Sequence, residues 1–391
     1  MRLFIENRHR LLWFCLNVIR WVGFLVPDEL NGIKKKILPF YAFFWFMFIA
    51  GIYVITQTGY LIQVWGNLSE MTNASFLLFT NLAFTTKIFN MMLRKHEIQA
   101  IIDDGEQQLK NEAREEGKKI VERYGILLTG PIAQLVVALP SELWVVDKTL
   151  LYIYNYTYIY RYPYDMSQSP SYEITYIHQC IAVALLALVN VSLDQVVTSL
   201  VSICRARLKL VNLSLRNLGR DIVVSNQMLT RQQEHIFTER LHQCVLQHQA
   251  ALESAKQIQN CFSEPILAQF TVSMVIICAT AFQLAVEDNN NILRIVAMTA
   301  YLMCMVIQVF IYCHQGNHLT EECFEVADAV YDCPWYLCSV SLRRTLLIMM
   351  IRSKYVVTLT AGGFTTLSLD SFMSIIKASY SFFTVLQQME A

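Results

Sequence analysis

Charged residues are scarce in this sequence of 391 amino acids, and the scarcity is uneven. Asp, Glu, Lys and Arg together make up 16% of the chain, whereas about 25% is usual for a soluble protein. None of the four occurs between Lys36 and Glu70, a stretch longer than the ~20 residues that cross the apolar core of a bilayer. This lack of charge excludes an ordinary cytosolic enzyme and predicts a polytopic membrane protein.

Motifs for catalysis and cofactor binding are also missing. The sequence has no glycine-rich phosphate loop, no nucleophile elbow and no Cys-x-x-Cys pair. His314, His318 and Glu322 follow one another at helical spacing, but a metal site would need a fourth ligand. The 31 basic and 31 acidic residues cancel, so no basic field predicts binding to nucleic acid. We therefore expect no catalytic residue, no metal and no cofactor.

The 11 cysteines do not suggest a secreted disulfide scaffold. Their number is odd, and most of them lie in apolar or cytosolic stretches. Reduced thiols are the rule in such surroundings. We expect these cysteines to be reduced side chains of the core.

Apolar runs of membrane length predict an all-α membrane protein with seven transmembrane helices. The predicted spans are residues 37–62, 71–93, 124–147, 173–201, 262–286, 292–315 and 364–389. Of the Lys and Arg residues between spans, 26 lie in one alternating set of segments and two in the other. Because basic loops stay in the cytoplasm, the amino terminus is expected inside and the carboxyl terminus outside. This orientation is the reverse of that of a G-protein-coupled receptor.

The segments around the spans complete the predicted domain organisation. Residues 1–36 form a cytoplasmic amphipathic segment, which either lies on the membrane surface or packs against the bundle. The fourth and fifth spans are expected to continue below the membrane as a helical hairpin. The predicted regions are 37–201 for spans one to four, 202–260 for a helical anchor segment, 261–315 for spans five and six, 316–363 for a second anchor segment and 364–391 for the outer part of the seventh helix.

The predicted outer loop, 148–172, has tyrosine at alternate positions from Tyr152 to Tyr164. In an extended chain the rings would share one side. The loop is either an aromatic belt at the membrane boundary or a lid over a ligand pocket. Asn67, Asn73 and Asn155 begin glycosylation triplets in or beside segments assigned to the outside.

Polar residues within the spans carry the functional signal. Lys87 and Asp194 are in the cytoplasmic halves of their spans, where we expect their side chains to extend toward water. In the seventh span, six polar residues fall within about 40° of one line along a helix. They are Asp370, Ser374, Lys377, Ser381, Thr384 and Gln388. Such a stripe either lines an aqueous path or forms a polar seam between packed helices.

Several motifs in the second half of the chain resemble the insect odorant receptor family. The resemblance is specific over residues 240–391 and weak before residue 120. It rests on Leu241–His248, Cys261–Phe270, Gln308–Asn317, Ala329–Tyr336, Ala361–Phe364, Ser368–Phe372 and Lys377–Leu386.

The resemblance implies a subunit of a ligand-gated, non-selective cation channel. It implies that the chain is a tuning subunit, which assembles with the shared odorant receptor co-receptor into a heterotetramer around one pore. It also implies a split seventh helix, with a cytoplasmic piece at about 341–360 and an outer piece that lines the pore. Val385 and Gln388 occupy the positions that form the gate in the co-receptor.

The family's ligand pocket lies in the outer halves of spans two to six. The residues of this sequence at the corresponding positions are mostly apolar. Such a set would hold a small volatile odorant by shape, dispersion and one or two hydrogen bonds. The expected pocket residues are Phe76, Phe79, Thr80, Leu135, Ala138, Leu139, Val183, Ala187, Met298 and Tyr301.

The implied location is the plasma membrane of an olfactory neuron dendrite, with lipid, odorant and co-receptor as partners. A gustatory receptor channel of the same superfamily is the main alternative. It should carry a Thr-Tyr-x-x-x-x-x-Gln-Phe ending, whereas this chain ends in Thr-Val-Leu-Gln-Gln-Met-Glu-Ala. A seven-span G-protein-coupled receptor is a second alternative, and it would require the opposite orientation.

Overall fold

The computed structural model describes most of the chain, namely residues 10–25, 33–66, 68–110, 114–127, 169–220, 229–286 and 292–390. Most of the third predicted span and of the tyrosine-rich loop lie outside the described residues. The same holds for Asn67, Asn155 and the expected pocket residues Leu135, Ala138 and Leu139.

The described part is an assembly of long helices with one very small sheet. The helices are α1 (Arg10–Trp21), α2 (Ile33–Phe46), α3 (Ile52–Gln63), α4 (Leu68–Leu93), α5 (Lys95–Lys110), α6 (Glu115–Leu127), α7 (Ser171–Arg216), α8 (Arg231–Val286), α9 (Ile292–Tyr331), α10 (Val340–Ser353) and α11 (Leu369–Glu390). A π-helical turn, Met47–Gly51, joins α2 to α3, and a short 3₁₀ turn, Trp335–Leu337, precedes α10. The strands are β1 (Thr360–Ala361) and β2 (Thr365–Thr366), which pair antiparallel.

Four helical stretches of the described chain are long and apolar enough to cross a membrane. They are Ile37–Gln63, Ser171–Arg216, Arg231–Ala285 and Met298–Tyr331. The first combines α2, the π-helical turn and α3. The other three lie within α7, α8 and α9, which have 46, 56 and 40 residues. At 1.5 Å per residue, helices of this length extend well beyond the ~30 Å core of a bilayer.

Helix α7 is the centre of the fold. Every residue from 191 to 208 is buried, so this part of the helix is enclosed on all sides, and α7 contacts α1, α5, α6, α8 and α9. Helices α7 and α9 run parallel. Side-chain pairs join them, and from pair to pair the residue number increases on both helices. The joined pairs are Asp194 with Tyr312, Arg205 with Glu322, Lys209 with Glu325, and Arg216 with Asp332.

Helix α8 begins at a capping box. The Thr230 amide donates to Gln233 Oε1 at 2.9 Å, and the Gln233 amide donates to Thr230 Oγ1 at 3.4 Å. These reciprocal bonds satisfy two amides that a helix leaves without partners at its first turn. The helix then extends to Val286 and includes Pro265. The fourth and fifth predicted spans thus continue as one long helical hairpin.

Helix α1 packs against the bundle. Its apolar face, which includes Leu12, Leu16 and Ile19, is fully buried in the main core. Phe14 and Trp21 are exposed at 43% and 55%. Of the two alternatives for the amino-terminal segment, this part of the chain fits packing against the bundle.

The seventh predicted helix is split by a hairpin that was not anticipated. Helix α10 ends at Ser353, and the outer helix α11 begins at Leu369 and not at residue 364. The outer helix thus begins five residues after position 364. The physical reason is the pair of glycines at the turn, Gly362 and Gly363, whose φ values of 59° and 76° are incompatible with a continuing right-handed helix.

The hairpin is held firmly by α8 and α9. The Gln259 side chain accepts from the Thr360 amide at 2.7 Å, and its Nε2 donates to the Thr360 carbonyl at 3.1 Å. The Gly362 amide donates to the Ser263 carbonyl at 3.0 Å. On the side of α9, Gly316 faces Leu367 with no room for a side chain.

All 11 cysteines lie in described residues and none forms a disulfide, so reduced thiols are what the structure contains. Ten are buried. In the connection before α10, burial raises the pKa of the Cys333 thiol to about 12 and that of Cys338 to about 11. Both groups remain protonated at neutral pH and are poor nucleophiles.

We predict that Gly316→Ala destabilises the protein. The added Cβ would lie 2.4 Å from Leu367 Cβ and 2.5 Å from the Leu367 carbonyl oxygen. Because the oxygen belongs to the backbone, the overlap can be relieved only by moving the hairpin. Thermal unfolding of detergent-solubilised protein should show a lower midpoint temperature.

Gly59→Ala in α3 is the matched control for this prediction. Nothing lies within 4 Å of the Cβ that it would add. Alanine is favoured over glycine within helices by about 1 kcal/mol, so this variant should be as stable as the original protein or more so. Equal midpoint temperatures for the two alanine variants would contradict the close approach of α9 and the hairpin.

Candidate ligand site and pore helix

A hydroxyl pair joins α4 to α9 among the expected pocket residues. Thr80 Oγ1 lies 3.4 Å from the Tyr301 hydroxyl, and Tyr301 is buried. Met298 lies one helical turn before Tyr301 on α9 and is also buried. The structure therefore brings residues from the second and sixth predicted spans together, with two hydroxyls in apolar surroundings.

A second polar pair joins α3 to α4, and its Asn81 follows Thr80 in the sequence. Asn81 Nδ2 donates to Gln57 Oε1 at 2.9 Å, and both side chains are buried. Analysis of the sequence missed this pair, although a buried amide inside an apolar span is a recognisable functional signal. Each of the two pairs places hydrogen-bonding groups at a contact between helices.

The other expected pocket residues are placed less closely together. Ala187 is buried within α7, and Val183 packs against the separate cluster of Tyr53 and Ala182. Phe79 is on the outward side of α4 and is 38% exposed. Phe76 is part of helix α4, as is the predicted glycosylation residue Asn73, but their side chains are outside the described set.

Tyr301 also connects this region to α11. It belongs to a hydrophobic cluster with Ile276 and Ile277 of α8 and Met305 of α9. Ile376 of α11 packs against the same cluster. A displacement of Tyr301 would therefore reach the last helix through direct packing.

The hydrophilic stripe of α11 faces away from the body of the chain. The opposite face is buried: the Ser379 hydroxyl lies 3.4 Å from the Met274 carbonyl of α8, and the Phe372 ring lies 5.5 Å from that of Phe310 on α9. At about 100° per residue, Ser379 lies about 180° from the line of the stripe. The exposed residues of the stripe are Asp370, Ser374, Lys377, Ser381 and Gln388. Thr384 is half-buried.

The apolar flank of the stripe is equally open. Val385 is 52% exposed, and Tyr380 and Phe382 are exposed at 66% and 56%. Val385 is three residues before Gln388 and, at about 100° per residue, lies about 60° from the line of the stripe. No other described residue of this chain seals the stripe, so it is not a dry seam within the protomer.

A buried ion pair lies below the hydroxyl pair, and here the expectation of side chains extending to water was wrong. Lys87 Nζ is 2.6 Å from Asp194 Oδ1, and the two side chains are only 7% and 3% exposed. Lys87 also donates to Asn190 Oδ1 at 3.1 Å. Burial on all sides of α7 leaves Asp194 no route to water, so the lysine neutralises it instead.

Asp194 is also the acceptor for two side chains of α9. The Tyr312 hydroxyl donates to Oδ1 at 2.7 Å, and the Gln308 amide donates to Oδ2. Gln308 in turn accepts from Gln269 of α8 at 3.0 Å. This polar network joins α4, α7, α8 and α9 around one carboxylate.

A cavity of about 20 Å³ adjoins the network and is lined by Lys87, Asn90, Asp194, Phe262, Pro265 and Tyr312. Its size suits about one water molecule. The void lies where Pro265 interrupts the hydrogen-bond ladder of α8, since proline lacks an amide donor.

A further set of buried charges continues down α7. Arg205 Nη2 is 3.1 Å from Glu322 Oε1, and Arg205 Nη1 donates to Gln315 Oε1 at 2.6 Å. Arg207 pairs with Asp104 of α5. Beyond the end of α7, Arg220 holds the pKa of Glu116 below its usual value through a hydrogen bond and its charge.

The histidines that suggested a weak metal motif serve other contacts. His318 Nδ1 lies 2.6 Å from Glu321 Oε2, and the His314 and His318 rings are 4.3 Å apart. Glu322 is occupied by Arg205. Among the described residues, no group of three or more side chains is arranged to hold a metal ion.

These features define a class: a polytopic helical membrane protein with a buried polar network, a hydroxyl-lined contact between its spans and a last helix whose hydrophilic face is open. The sequence profile of the family described as "7tm Odorant receptor" matches residues 67–380. Because this match covers most of the sequence, the chain belongs to the 7tm odorant receptor family.

Individual relatives agree with this assignment. The chain is 23% identical to Odorant receptor 46a, isoform A, of Drosophila melanogaster over 83% of its own length and 84% of the relative. It is 22% identical to Odorant receptor Or1 of Anopheles gambiae over 98% of its length and 97% of the relative.

Its fold is similar to that of the insect olfactory receptor OR5 of Machilis hrabei solved in complex with eugenol. The TM-score is 0.81 at 16% identity, with 98% of this chain and 99% of that chain covered. A second structure of the same receptor gives a TM-score of 0.76 at 16% identity, with 97% of this chain and 99% of that chain covered.

We predict that removing one charge of the Lys87–Asp194 pair destabilises the protein more than removing both. Lys87→Met leaves the Asp194 carboxylate buried without its cation, and breaking such a pair costs about 3–5 kcal/mol. The double variant Lys87→Met/Asp194→Asn removes both charges and should recover most of this loss. The measurement is the midpoint temperature of unfolding in detergent for the two variants and the original protein.

The exposed pair of Lys118 and Glu115, 2.8 Å apart on α6, is the matched control. Lys118→Met should change stability very little, because exposed ion pairs contribute about 0–1 kcal/mol. If the double variant at positions 87 and 194 were no more stable than Lys87→Met, mutual neutralisation would not be the role of the pair.

Proposed function

We propose that this chain is an odorant-gated, non-selective cation channel subunit that acts with the odorant receptor co-receptor in a heterotetramer. The observation that carries the proposal is the open hydrophilic stripe of α11. A helix inside a membrane turns its polar groups to protein or to water, and among the residues that the structure describes no helix is packed over the stripe. A water-filled path shared with neighbouring subunits satisfies the stripe.

Val385 and Gln388 form the gate in this proposal. Both are exposed next to the stripe, near its outer end. A ring of apolar side chains can close a narrow pore by excluding water, whereas an amide ring holds water and ions. Their exposure on the open side of α11 supports the assignment.

The odorant binds around Thr80 and Tyr301, with Met298 as an apolar wall. The volatile ligand prefers the open arrangement to the closed one, and this difference in affinity shifts the equilibrium toward conduction. The cluster that contains Tyr301 and Ile376 connects the ligand site with α11. The eugenol complex of OR5 from Machilis hrabei, a receptor of the same fold, supports a small organic ligand.

The amino terminus lies in the cytoplasm and the carboxyl terminus outside, in the plasma membrane of an olfactory neuron dendrite. The distribution of Lys and Arg supports this orientation. Asn67, Asn73 and Asn155 then fall in or beside outer segments as glycosylation sites. The parts of α7, α8 and α9 below the membrane form, with α10, the anchor through which subunits associate.

We predict odorant-evoked current only when this chain and the co-receptor are expressed together. Whole-cell recording across a panel of volatile compounds, with each subunit alone and with both, tests the proposal. A response of the chain alone through a G protein, together with an extracellular amino-terminal epitope tag, would contradict it.

The gate assignment is tested in the same assay with Val385→Arg and Gln388→Ala. Val385→Arg places a charge in the constriction and should reduce evoked current by about tenfold or more, because a charge in a narrow apolar ring opposes cations. Gln388→Ala should alter current amplitude less. Ser353→Ala, a buried site in α10 away from the stripe, is the control. Unchanged currents in both gate variants would refute the assignment.

A further inference from the structure

Lys377 is the one cation of the described hydrophilic stripe, and it lies near the middle of that stripe. Its side chain is exposed. The line of the stripe passes through Ser374 and Ser381, one turn away on either side, and both of these are exposed as well. A lysine at this place faces the same space as the proposed pore.

No carboxylate neutralises Lys377 in the part of the chain that the structure describes. The ion pairs of the described residues do not include it. Asp370 is on the same stripe, but seven residues of helix separate the two Cα atoms by about 10 Å along the axis. The ammonium group is therefore not paired with a carboxylate of the described residues.

The neighbouring hydroxyls do not offset this charge. Ser374 Oγ donates to the Asp370 carbonyl at 2.9 Å, and Ser381 Oγ donates to the Lys377 carbonyl at 3.0 Å. These bonds keep the hydroxyls on their own helix. Lys87 differs in this respect, because it is buried and is held by Asp194 and Asn190. No ion pair joins Lys377 to another element among the described residues.

We propose that Lys377 determines the selectivity of the pore between divalent and monovalent cations, an inference that rests on the proposed function of α11. The charge lies eight residues before Val385, or about 12 Å along the helix. A fixed unit charge about 8 Å from an ion in water lowers the local concentration of a monovalent cation about twofold and of a divalent cation about sixfold, before screening by salt. The subunit thus limits calcium more than sodium.

The test is the relative permeability to calcium and sodium, measured as the reversal potential of odorant-evoked current. This chain is expressed with the co-receptor, and an odorant that activates the original pair is used throughout. Lys377→Gln should raise the calcium-to-sodium permeability ratio about twofold or more, and Lys377→Glu should raise it further. Lys377→Arg should keep the original ratio, because it keeps the charge.

Two further measurements separate charge from altered folding. Lys256→Gln removes an exposed lysine of α8 outside the stripe and should leave the ratio unchanged. Lys377→Cys allows the charge to be changed in an assembled channel: a methanethiosulfonate reagent that carries an ammonium group should lower the ratio, and one that carries a sulfonate group should raise it. The original protein treated with each reagent controls for its native cysteines.

The outcomes distinguish this inference from the function on which it rests. Robust odorant-evoked currents with the same ratio in the Gln, Glu and reagent-treated Cys variants would overturn the role of Lys377 and leave the channel function intact. Absence of odorant-evoked current from the original pair would overturn both.

Discussion

The need to neutralise buried charge governs the architecture around α7. A helix that is enclosed on all sides can carry ionised groups only if each finds an opposite charge or a set of hydrogen bonds. Asp194, Arg205 and Arg207 find theirs on α4, α9 and α5 respectively. Because these partners come from different helices, the same requirement fixes how the helices are placed along α7. Polar residues thus align a bundle whose apolar surfaces alone would tolerate several arrangements.

The sequence predicted the features that depend on local patterning. Apolar runs predicted the four described stretches that are long and apolar enough to cross a membrane, and the periodic polar residues from Asp370 to Gln388 identified a face of α11 that is open in the structure. Both signals lie within a single helix, where spacing determines which residues share a side. The family resemblance was confirmed by the match over residues 67–380.

Contacts between helices that are distant in the sequence could not be predicted from the spacing of residues within one helix. Lys87 and Asp194 are 107 positions apart, and each alone is compatible with a side chain that reaches water. Their pairing follows only from the burial of α7. The hairpin before α11 escaped notice for a related reason, because Gly362 and Gly363 permit many turns and the contacts of Gln259 with Thr360 select one.

The hairpin is a fixed point about which α11 can tilt. Gln259 and Ser263 hold the hairpin that precedes the helix, while among the described residues its outer half contacts α8 near Ser379. From Leu369 to Val385 the helix is about 24 Å long, so a tilt of about 5° at the hairpin moves the outer end by about 2 Å. A small rearrangement near the hairpin is amplified in this way, and α11 can swing while the helices around α7 keep their register.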